Sequence, residues 1–262
     1  MELLKHITQF KDLDFSNIAI VFVLFLLLTA IIIFRYLIFS AAYYSFFFIL
    51  LKNKTANRII NRKKPKKKQL KTEIFWSALS GAIFAAVGVF MYYLYVKGYS
   101  AIYIETSKNS IWYIPLSIFI FLFLQDTYYY WLHRWMHRPK VYKYFHLIHH
   151  KSVHTSVFTA FSFHPLETIL QALFLPIIIL IFPIHFYALL VTLLIMTVTA
   201  TINHAGIEVY PSGKFGDWFK KWIIGATHHD FHHRKFNYNY GLYFTFWDRI
   251  MQTELEQKKE LK

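Results

Sequence analysis

The amino-acid sequence predicts an all-α fold: a polytopic membrane helical bundle of about four transmembrane spans, the last two forming a hairpin, capped by a cytosolic, His-rich helical region. Hydrophobic residues make up 56% of the 262 residues and charged residues only 16%, whereas soluble domains average roughly 45–50% and about 25%. Long apolar segments recur along the chain, and it also contains 14 histidines, many of them in short clusters.

The apolar segments predict where the spans lie. About 20 residues cross the hydrocarbon core of a bilayer, so the first segment is predicted to contain one span followed by an interfacial or tilted continuation. Its length argues against a cleaved signal peptide. The last apolar segment contains two prolines and suits a tight helical hairpin that enters and leaves by the same face. The predicted segments are Ile18–Phe39, Ile74–Val96, Ile111–Trp131 and the hairpin over Leu166–Ala200.

A basic segment between the first two spans determines the predicted topology. Residues 52–71 carry ten Lys or Arg and no acid, a large part of the net charge of +15. A nucleic-acid patch has such a charge, but flanking apolar segments favour a cytosolic loop that obeys the positive-inside rule. No nucleic-acid partner is therefore expected. With this loop in the cytosol, the alternation of spans places every His cluster on the cytosolic face.

The chain has no cysteine, which excludes disulfides, thiolate zinc sites, iron–sulfur clusters and thiol nucleophiles. Any metal must therefore use His, Asp or Glu. The histidines are spaced so that they share helix faces. The three clusters are His133 with His137, then His146 with His149 and His150, then His228 with His229, His232 and His233.

The clusters together predict a metal site. Neutral imidazole is a good ligand for iron, zinc and copper, and each ring supplies one bond without adding charge. The second and third clusters repeat the same offsets of three and four residues. Interfacial anchoring or headgroup contacts would account for one cluster alone, but not for this repetition. So many unpaired polar rings at a membrane boundary would also be unfavourable.

Further motifs accompany the clusters between Gln125 and Thr253. They are Asp126, Tyr130-Trp131-Leu132-His133-Arg134, His146 to His150, His164-Pro165-Leu166-Glu167, Asn203-His204-Ala205-Gly206, His229 to His233, Asn239-Tyr240-Gly241 and Trp247-Asp248-Arg249-Ile250. This order resembles the fatty acid hydroxylase and sterol desaturase superfamily of integral membrane di-iron, histidine-box oxidases. We accordingly divide the chain into an N-terminal transmembrane region, residues 1–110, and a catalytic domain of that type, residues 111–262.

The resemblance implies which histidines bind metal. The implied ligands are His133, His137, His146, His149, His150, His164, His204, His229, His232 and His233. His164 could instead tie its loop to Glu167. His228 is expected outside the ligand set, because the repeated spacing starts at His229.

Two residues before His133 are candidates for supporting a metal ligand. Asp126 and Tyr130 precede it by seven and three residues, on the same helical face. A carboxylate that accepts the second N–H of a ligating imidazole orients the ring. A plain salt bridge from Asp126 to Arg134 or Arg138 is the alternative.

Two other acids lie near the third cluster. Asp230 could support His204 or His228 in the same way. Asp248 beside Arg249 is expected to form a structural ion pair.

The function implied is oxidation of an unactivated C–H bond of a membrane lipid, by hydroxylation or desaturation, with dioxygen and two iron ions. Zinc could replace iron in purified protein. The motifs at His164 and Asn203 look most like the sterol-modifying branch, and fatty-acyl, carotenoid and alkyl-glycerol-ether substrates remain open. Candidate residues along a lateral lipid path are Tyr128, Tyr129, Phe158, Phe161 and Phe163, for which simple packing is the alternative.

The electrons for such a reaction are expected from outside the chain. The sequence shows no dinucleotide-binding glycine fingerprint and no evident haem domain. A ferredoxin, or a b-type cytochrome with its reductase, is therefore implied, and an acidic carrier would suit a basic cytosolic face.

Two other classes of function are compatible with the clusters. A membrane zinc hydrolase lacks support, because no His-Glu-x-x-His helix is present. A metal-handling protein or a catalytically silent relative is the second class, but transport would place ionisable residues at mid-bilayer depth, whereas these histidines lie at the ends of spans.

Overall fold

The computed structural model describes residues 13–60, 65–105 and 108–255, and it confirms the helical fold class. In chain order the elements are α1 (Ile18–Tyr44), α2 (Lys52–Thr55), α3 (Lys67–Val96), β1 (Ile102–Tyr103), α4 (Tyr113–Met136), α5 (Pro139–Phe145), α6 (Leu147–His150), α7 (Pro165–Ile181), β2 (Ile184–His185), α8 (Phe186–His204), α9 (Gly213–Trp222), α10 (Ala226–Lys235) and α11 (Phe246–Ile250). A π-helical segment, Ser45–Leu50, continues α1, and 3-10 turns cover Ala56–Arg58 and Thr159–Phe161.

Three helices of the described chain are long and apolar enough to cross a membrane: α1 with its π-helical continuation, α3 and α8. Helix α7 is apolar but has only 17 residues. Helix α4, which covers most of the predicted span at 111–131, is not among the three. Its second half carries buried polar side chains, including Gln125, Asp126 and His133, and these reduce its apolar character.

Two helix boundaries differ from the sequence prediction. The first span was predicted to end near Phe39, but the helical segment continues to Leu50. Helix α3 begins at Lys67, seven residues before the predicted start, because lysine and glutamine are good helix formers and extend the helix into the basic loop. Residues 61–64 of that loop lie outside the described residues.

The predicted hairpin is present as α7 and α8, joined at residues 182–185. Pro183 cannot continue a helix. The two residues after it form β2, which pairs in parallel with β1, Ile102 beside Ile184 and Tyr103 beside His185. Strands of two residues have no readable periodicity, and none was predicted.

The helices pack so that one end of the bundle gathers the functional side chains. Helix α1 packs on α3, α3 on α7, and α4 on α8. The strand pair lies at one end, where Tyr113 donates a hydrogen bond to the Pro183 carbonyl. The start of α3, the end of α4, the start of α7 and the end of α8 therefore meet at the opposite end.

A buried carboxylate ties that end together. Glu73 of α3 accepts hydrogen bonds from Ser152 (2.6 Å), Ser156 (2.7 Å) and Thr159 (3.0 Å). It thereby fixes the loop that follows His150 against a helix from the N-terminal half of the chain.

Candidate metal centre

Nine histidine rings from distant parts of the chain meet at this end of the bundle, in two groups. The five-histidine group contains His133, His137, His146, His150 and His232. The four-histidine group contains His149, His204, His229 and His233. Within each group, one ring nitrogen of every member lies within 4.8 Å of those of the others. Each group combines rings from the part of the chain between the end of α4 and the end of α8 with rings from α10.

The Nε2 atoms of the five-histidine group converge. The Nε2 atoms of His133 and His146 are 2.9 Å apart, and His137 Nε2 lies 3.1 Å from His232 Nε2. His150 Nε2 lies 3.2 Å and 3.0 Å from the Nε2 atoms of His137 and His232. Two ligands at right angles on one ion, each at about 2.1 Å, would be about 3.0 Å apart. The spacing therefore fits rings that surround a single ion.

The four-histidine group has the same geometry and adjoins the first. His204 Nε2 lies 3.2 Å from His149 Nε2 and 2.9 Å from His229 Nε2, and His233 Nε2 lies 3.2 Å from His229 Nε2. The ring centroids of His150 and His233, one in each group, are 4.7 Å apart. The two groups thus form one centre with two neighbouring positions.

Hydrogen bonds to backbone carbonyls show that the rings suit a cation. His149 Nδ1 lies 3.3 Å from the Ser162 carbonyl oxygen, and His204 Nδ1 lies 2.7 Å from that of Ala200. A carbonyl oxygen can only accept, so each Nδ1 carries the proton and each Nε2 presents a lone pair. Two lone pairs 3.2 Å apart repel each other, and a cation between them would relieve that repulsion. The donor set therefore fits a bound metal.

The five-histidine group is oriented in the same way. His133 Nδ1 donates to the Tyr240 carbonyl at 2.8 Å, and His232 Nδ1 donates to that of Tyr238 at 2.7 Å. His146 Nδ1 lies 2.7 Å from Glu167 Oε1, with both side chains fully buried. A carboxylate behind a ligating ring fixes its orientation and raises its basicity.

This role of Glu167 was not predicted, because in the chain Glu167 lies closer to His164 than to His146. An acid in the first turn of an apolar helix is itself a signal of a functional site.

Burial keeps the rings outside the spanning helices neutral. It is the largest cause lowering the pKa of His137, His146, His149, His150, His229 and His233 below the ordinary value. Burial also lowers the pKa of His232 to about 4. Metal binding requires the neutral ring, so the centre is prepared for metal at neutral pH.

Two of the histidines considered as ligands from the sequence, His164 and His228, lie outside both groups. His164 Nδ1 accepts a hydrogen bond from the Leu166 N–H and so caps the start of α7. It contacts neither group, and the Glu167 carboxylate is bonded to His146 and Gln171 instead. His228 lies outside the groups, with Nε2 3.9 Å from Asp248 Oδ2.

Asp126 has a different partner from either of its predicted ones. Its Oδ1 accepts the backbone N–H groups of Leu242 (3.0 Å), Tyr243 (2.7 Å) and Phe244 (3.2 Å). Among the described residues it forms no hydrogen bond or ion pair with a metal-group histidine or an arginine. It fixes the segment just after Tyr240, whose carbonyl holds His133, and so supports the ligand through the backbone.

Tyr130 and the two later acids also have other partners. The Tyr130 hydroxyl lies 2.9 Å from Thr253 Oγ1. Asp230 pairs with Arg234, at 2.7 Å, and not with His204 or His228. The expected ion pair of Asp248 with Arg249 is also absent from the described residues: Asp248 accepts the N–H groups of Tyr240 and Gly241, and Arg249 pairs with Glu254.

Two of the five candidate path residues lie beside the centre. The buried ring of Tyr129 is 5.0 Å from that of His133, and the buried ring of Phe163 is 4.9 Å from that of His149. The other three lie further out: Phe158 and Phe161 contact Tyr36 of α1, and the Tyr128 hydroxyl donates to the Leu170 carbonyl.

The fold and the site together define a helical membrane protein with a buried histidine centre for metal. The family model described as "Fatty acid hydroxylase" matches residues 118–253, which is more than half of the chain and includes all nine grouped histidines. The chain belongs to the fatty acid hydroxylase family and is an integral membrane protein, as its sequence motifs predicted.

Named relatives are enzymes of sterol metabolism. The chain is 34% identical over 186 residues to "Lathosterol oxidase" of Rattus norvegicus, covering 70% of this chain and 60% of that protein. It is 34% identical to "Delta(7)-sterol 5(6)-desaturase" of Leptosphaeria maculans, covering 70% and 50%, and 32% identical to the protein of that name from Eremothecium gossypii, covering 78% and 56%. The chain thus spans about half to three fifths of the length of these relatives. No solved structure matches it significantly.

Proposed function

We propose that this protein is a membrane-bound oxidoreductase that oxidises an unactivated C–H bond of a sterol-like lipid, using dioxygen and external electrons. The observation that carries the proposal is the convergence of five and four imidazole rings at the buried end of an apolar helical bundle. The names of the relatives, lathosterol oxidase and Delta(7)-sterol 5(6)-desaturase, support a sterol-like substrate over a fatty-acyl one.

The two histidine groups would each hold one iron ion. When bound, the two ions would supply the activation of dioxygen and the removal of hydrogen from carbon. The chain's own residues orient the rings, through Glu167 and the backbone carbonyls of Tyr238, Tyr240, Ser162 and Ala200, and keep the rings neutral by excluding water.

The substrate would reach the centre from within the bundle. Tyr129 lies one helical turn before His133, on the side of the rings that faces the apolar first half of α4, and Phe163 lies just before α7. These two rings are placed to contact the lipid next to the carbon that reacts. Their apolar surfaces also exclude water from the reacting carbon, which limits side reactions.

Electrons would enter through His137, the one member of either group that is not fully buried. It lines a surface pocket of about 570 Å³ together with Trp131, Trp135, Arg134 and Arg138. The sequence from residue 127 to residue 166 contains no acid. An acidic electron donor, a ferredoxin or a b-type cytochrome, would complement this face.

The basic segment supports a cytosolic location for the centre. Lys66, Lys67 and Lys68 are exposed at the start of α3, the end of the bundle at which the histidines meet. Arg58 reaches the carbonyls of Val209 and Tyr210, shortly after His204. The positive-inside rule would place this end in the cytosol.

Lipid mass spectrometry of cells with and without the protein tests the proposal. We expect a sterol that loses two hydrogens or gains one oxygen, and His149→Ala should abolish that product while His164→Ala preserves it. Dioxygen uptake and metal analysis of the purified protein separate the alternatives. Zinc that supports hydrolysis without dioxygen uptake would indicate a hydrolase, and bound metal without lipid turnover would indicate a silent relative or a metal-handling protein.

A further inference from the structure

Helix α9 exposes three large aromatic side chains on one face. Phe215, Trp218 and Trp222 are separated by three and four residues and therefore share a face, and their exposed fractions are 65%, 59% and 43%. The surrounding sequence, Gly213 to Trp222, otherwise carries three lysines and one aspartate. A helix with aromatic residues on one side and lysines on the other is typical of segments that lie in the plane of a membrane interface.

The aromatic face is not the face by which α9 attaches to the protein. Gly216 is buried directly against the backbone of Pro211, where any side chain would collide with the Pro211 carbonyl. Phe219 packs on Tyr210, with ring centroids 4.9 Å apart. These contacts hold α9 from one side and leave Phe215 and Trp218 directed outward. Trp222 lies at the edge of this face, half-exposed, with the Arg249 guanidinium 5.1 Å from its ring centroid.

The aromatic face continues the outer surface of the bundle. The Trp222 carbonyl accepts the Thr245 N–H at 3.1 Å, and the next residue of the chain forms a bridge with Phe244. The Phe244 ring lies 5.9 Å from that of Phe119 on α4, whose side chain is 56% exposed. The Phe244 N–H is bound by Asp126, which precedes His133 by seven residues, or about 10 Å along a helix. The end of α9 therefore lies beside the flank of the bundle and does not cap it.

The charges on α9 suit an anionic membrane surface. Lys214 and Lys221 are exposed, and the Lys221 ammonium group lies 5.3 Å from the Trp222 ring centroid. The one acid of the helix, Asp217, lies on the opposite side from Trp222 and pairs with Lys220 at 3.4 Å. Lysines beside interfacial aromatic residues are attracted to anionic headgroups.

We propose that α9 is an in-plane anchor that inserts Phe215, Trp218 and Trp222 into the interface of the bilayer that the protein spans, with Lys214 and Lys221 at anionic headgroups. Three residues separate α9 from α10, which carries His229, His232 and His233. The anchor thus holds the helix that completes both histidine groups at the membrane surface. This proposal does not depend on the proposed catalytic function.

Site-directed fluorescence tests the anchor, because the chain has no cysteine and a single one can be introduced without background. The environment-sensitive fluorophore NBD would be attached to Trp218→Cys and, as the matched control on the opposite side of the same helix, to Asp217→Cys. The full-length protein would be reconstituted in vesicles of phosphatidylcholine with and without phosphatidylglycerol. Lipids with a nitroxide on the acyl chain and aqueous iodide would serve as quenchers.

We expect the label at 218 to emit at shorter wavelength than that at 217, with strong quenching by the nitroxide lipid and little by iodide. Phosphatidylglycerol should move the label at 218 deeper into the bilayer, which is seen as stronger quenching by the nitroxide lipid. The double substitution Lys214→Glu and Lys221→Glu should remove this dependence on phosphatidylglycerol. Equal quenching of both labels by iodide would overturn the anchor. Protection of label 218 from both quenchers would also overturn it and would indicate that a second copy or another protein covers the face. No dependence on phosphatidylglycerol would overturn the role of the lysines.

Discussion

Replacing Glu167 tests how the centre is oriented. The carboxylate accepts the Nδ1–H of His146 at 2.7 Å in a fully buried pair. Loss of such a carboxylate typically lowers metal affinity roughly 10–100-fold, which corresponds to about 1.4–2.7 kcal/mol. Glu167→Ala leaves a buried N–H without its acceptor, so its loss of metal affinity should lie at the upper end of this range. Glu167→Gln retains an acceptor oxygen but no charge, so its loss of metal affinity should lie at the lower end.

Chelator competition on purified protein, followed by metal analysis, measures this effect. Only the ion in the five-histidine group should be lost more easily, since Glu167 touches no ring of the other group. Glu208→Gln is the control, because Glu208 bonds Thr227 and Tyr210 at the same end of the bundle. If Glu167→Ala retained both ions as firmly as this control, or lost both equally, the assigned role of the carboxylate would be wrong.

Three further predictions concern other parts of the centre. His149→Ala should lower the affinity of the four-histidine group for its ion by roughly 10²–10³-fold, since four ligands share a binding free energy of about 10–16 kcal/mol in a structural zinc site. Metal analysis of the purified variant checks this, and the control variant His164→Ala should keep the full metal stoichiometry. The pKa of His232 is lowered by burial from 6.5 to about 4, so between these values the unfolded chain binds a proton that the folded chain does not. Metal-free protein should therefore lose stability as pH falls from 6.5 towards 4, and a thermal midpoint that rises over this range would contradict the assignment. Asp126→Ala leaves the N–H groups of residues 242–244 without their acceptor and should lower the free energy of unfolding by about 3 kcal/mol or more. The thermal unfolding midpoint in detergent should therefore fall further than for Asp126→Asn, which keeps one acceptor oxygen.

The sequence predicted which histidine rings lie close together where helical spacing determines which rings share a face, and the ligand set itself stays a prediction. His146, His149 and His150 lie close together in the chain, and their offsets carry the information. The division of the rings into two groups was not predictable, because His149 and His150, adjacent in the chain, belong to different groups. That division depends on how α4, α8 and α10 pack.

The supporting residues were harder to predict, because their partners are distant or belong to the backbone. Asp126 bonds N–H groups that lie 116 to 118 residues later, and a backbone N–H leaves no mark in the sequence. Tyr130 was chosen by its offset from His133, but Tyr129, a full turn before it, is the ring beside that histidine. Glu167 and His146 lie 21 residues apart in the chain, a separation that no helical spacing connects.

The carbonyl groups that fix the ring tautomers also bear on the biogenesis of the protein. Each carbonyl that holds an Nδ1–H directs an Nε2 lone pair towards neighbouring rings, and these lone pairs repel one another unless a cation lies between them. If the proposed metal is scarce in the cell, newly made chains would relieve this repulsion by opening the segment around α6 and α10. Cellular proteases would then cleave there first, and the abundance of the protein would follow the supply of that metal even at constant synthesis.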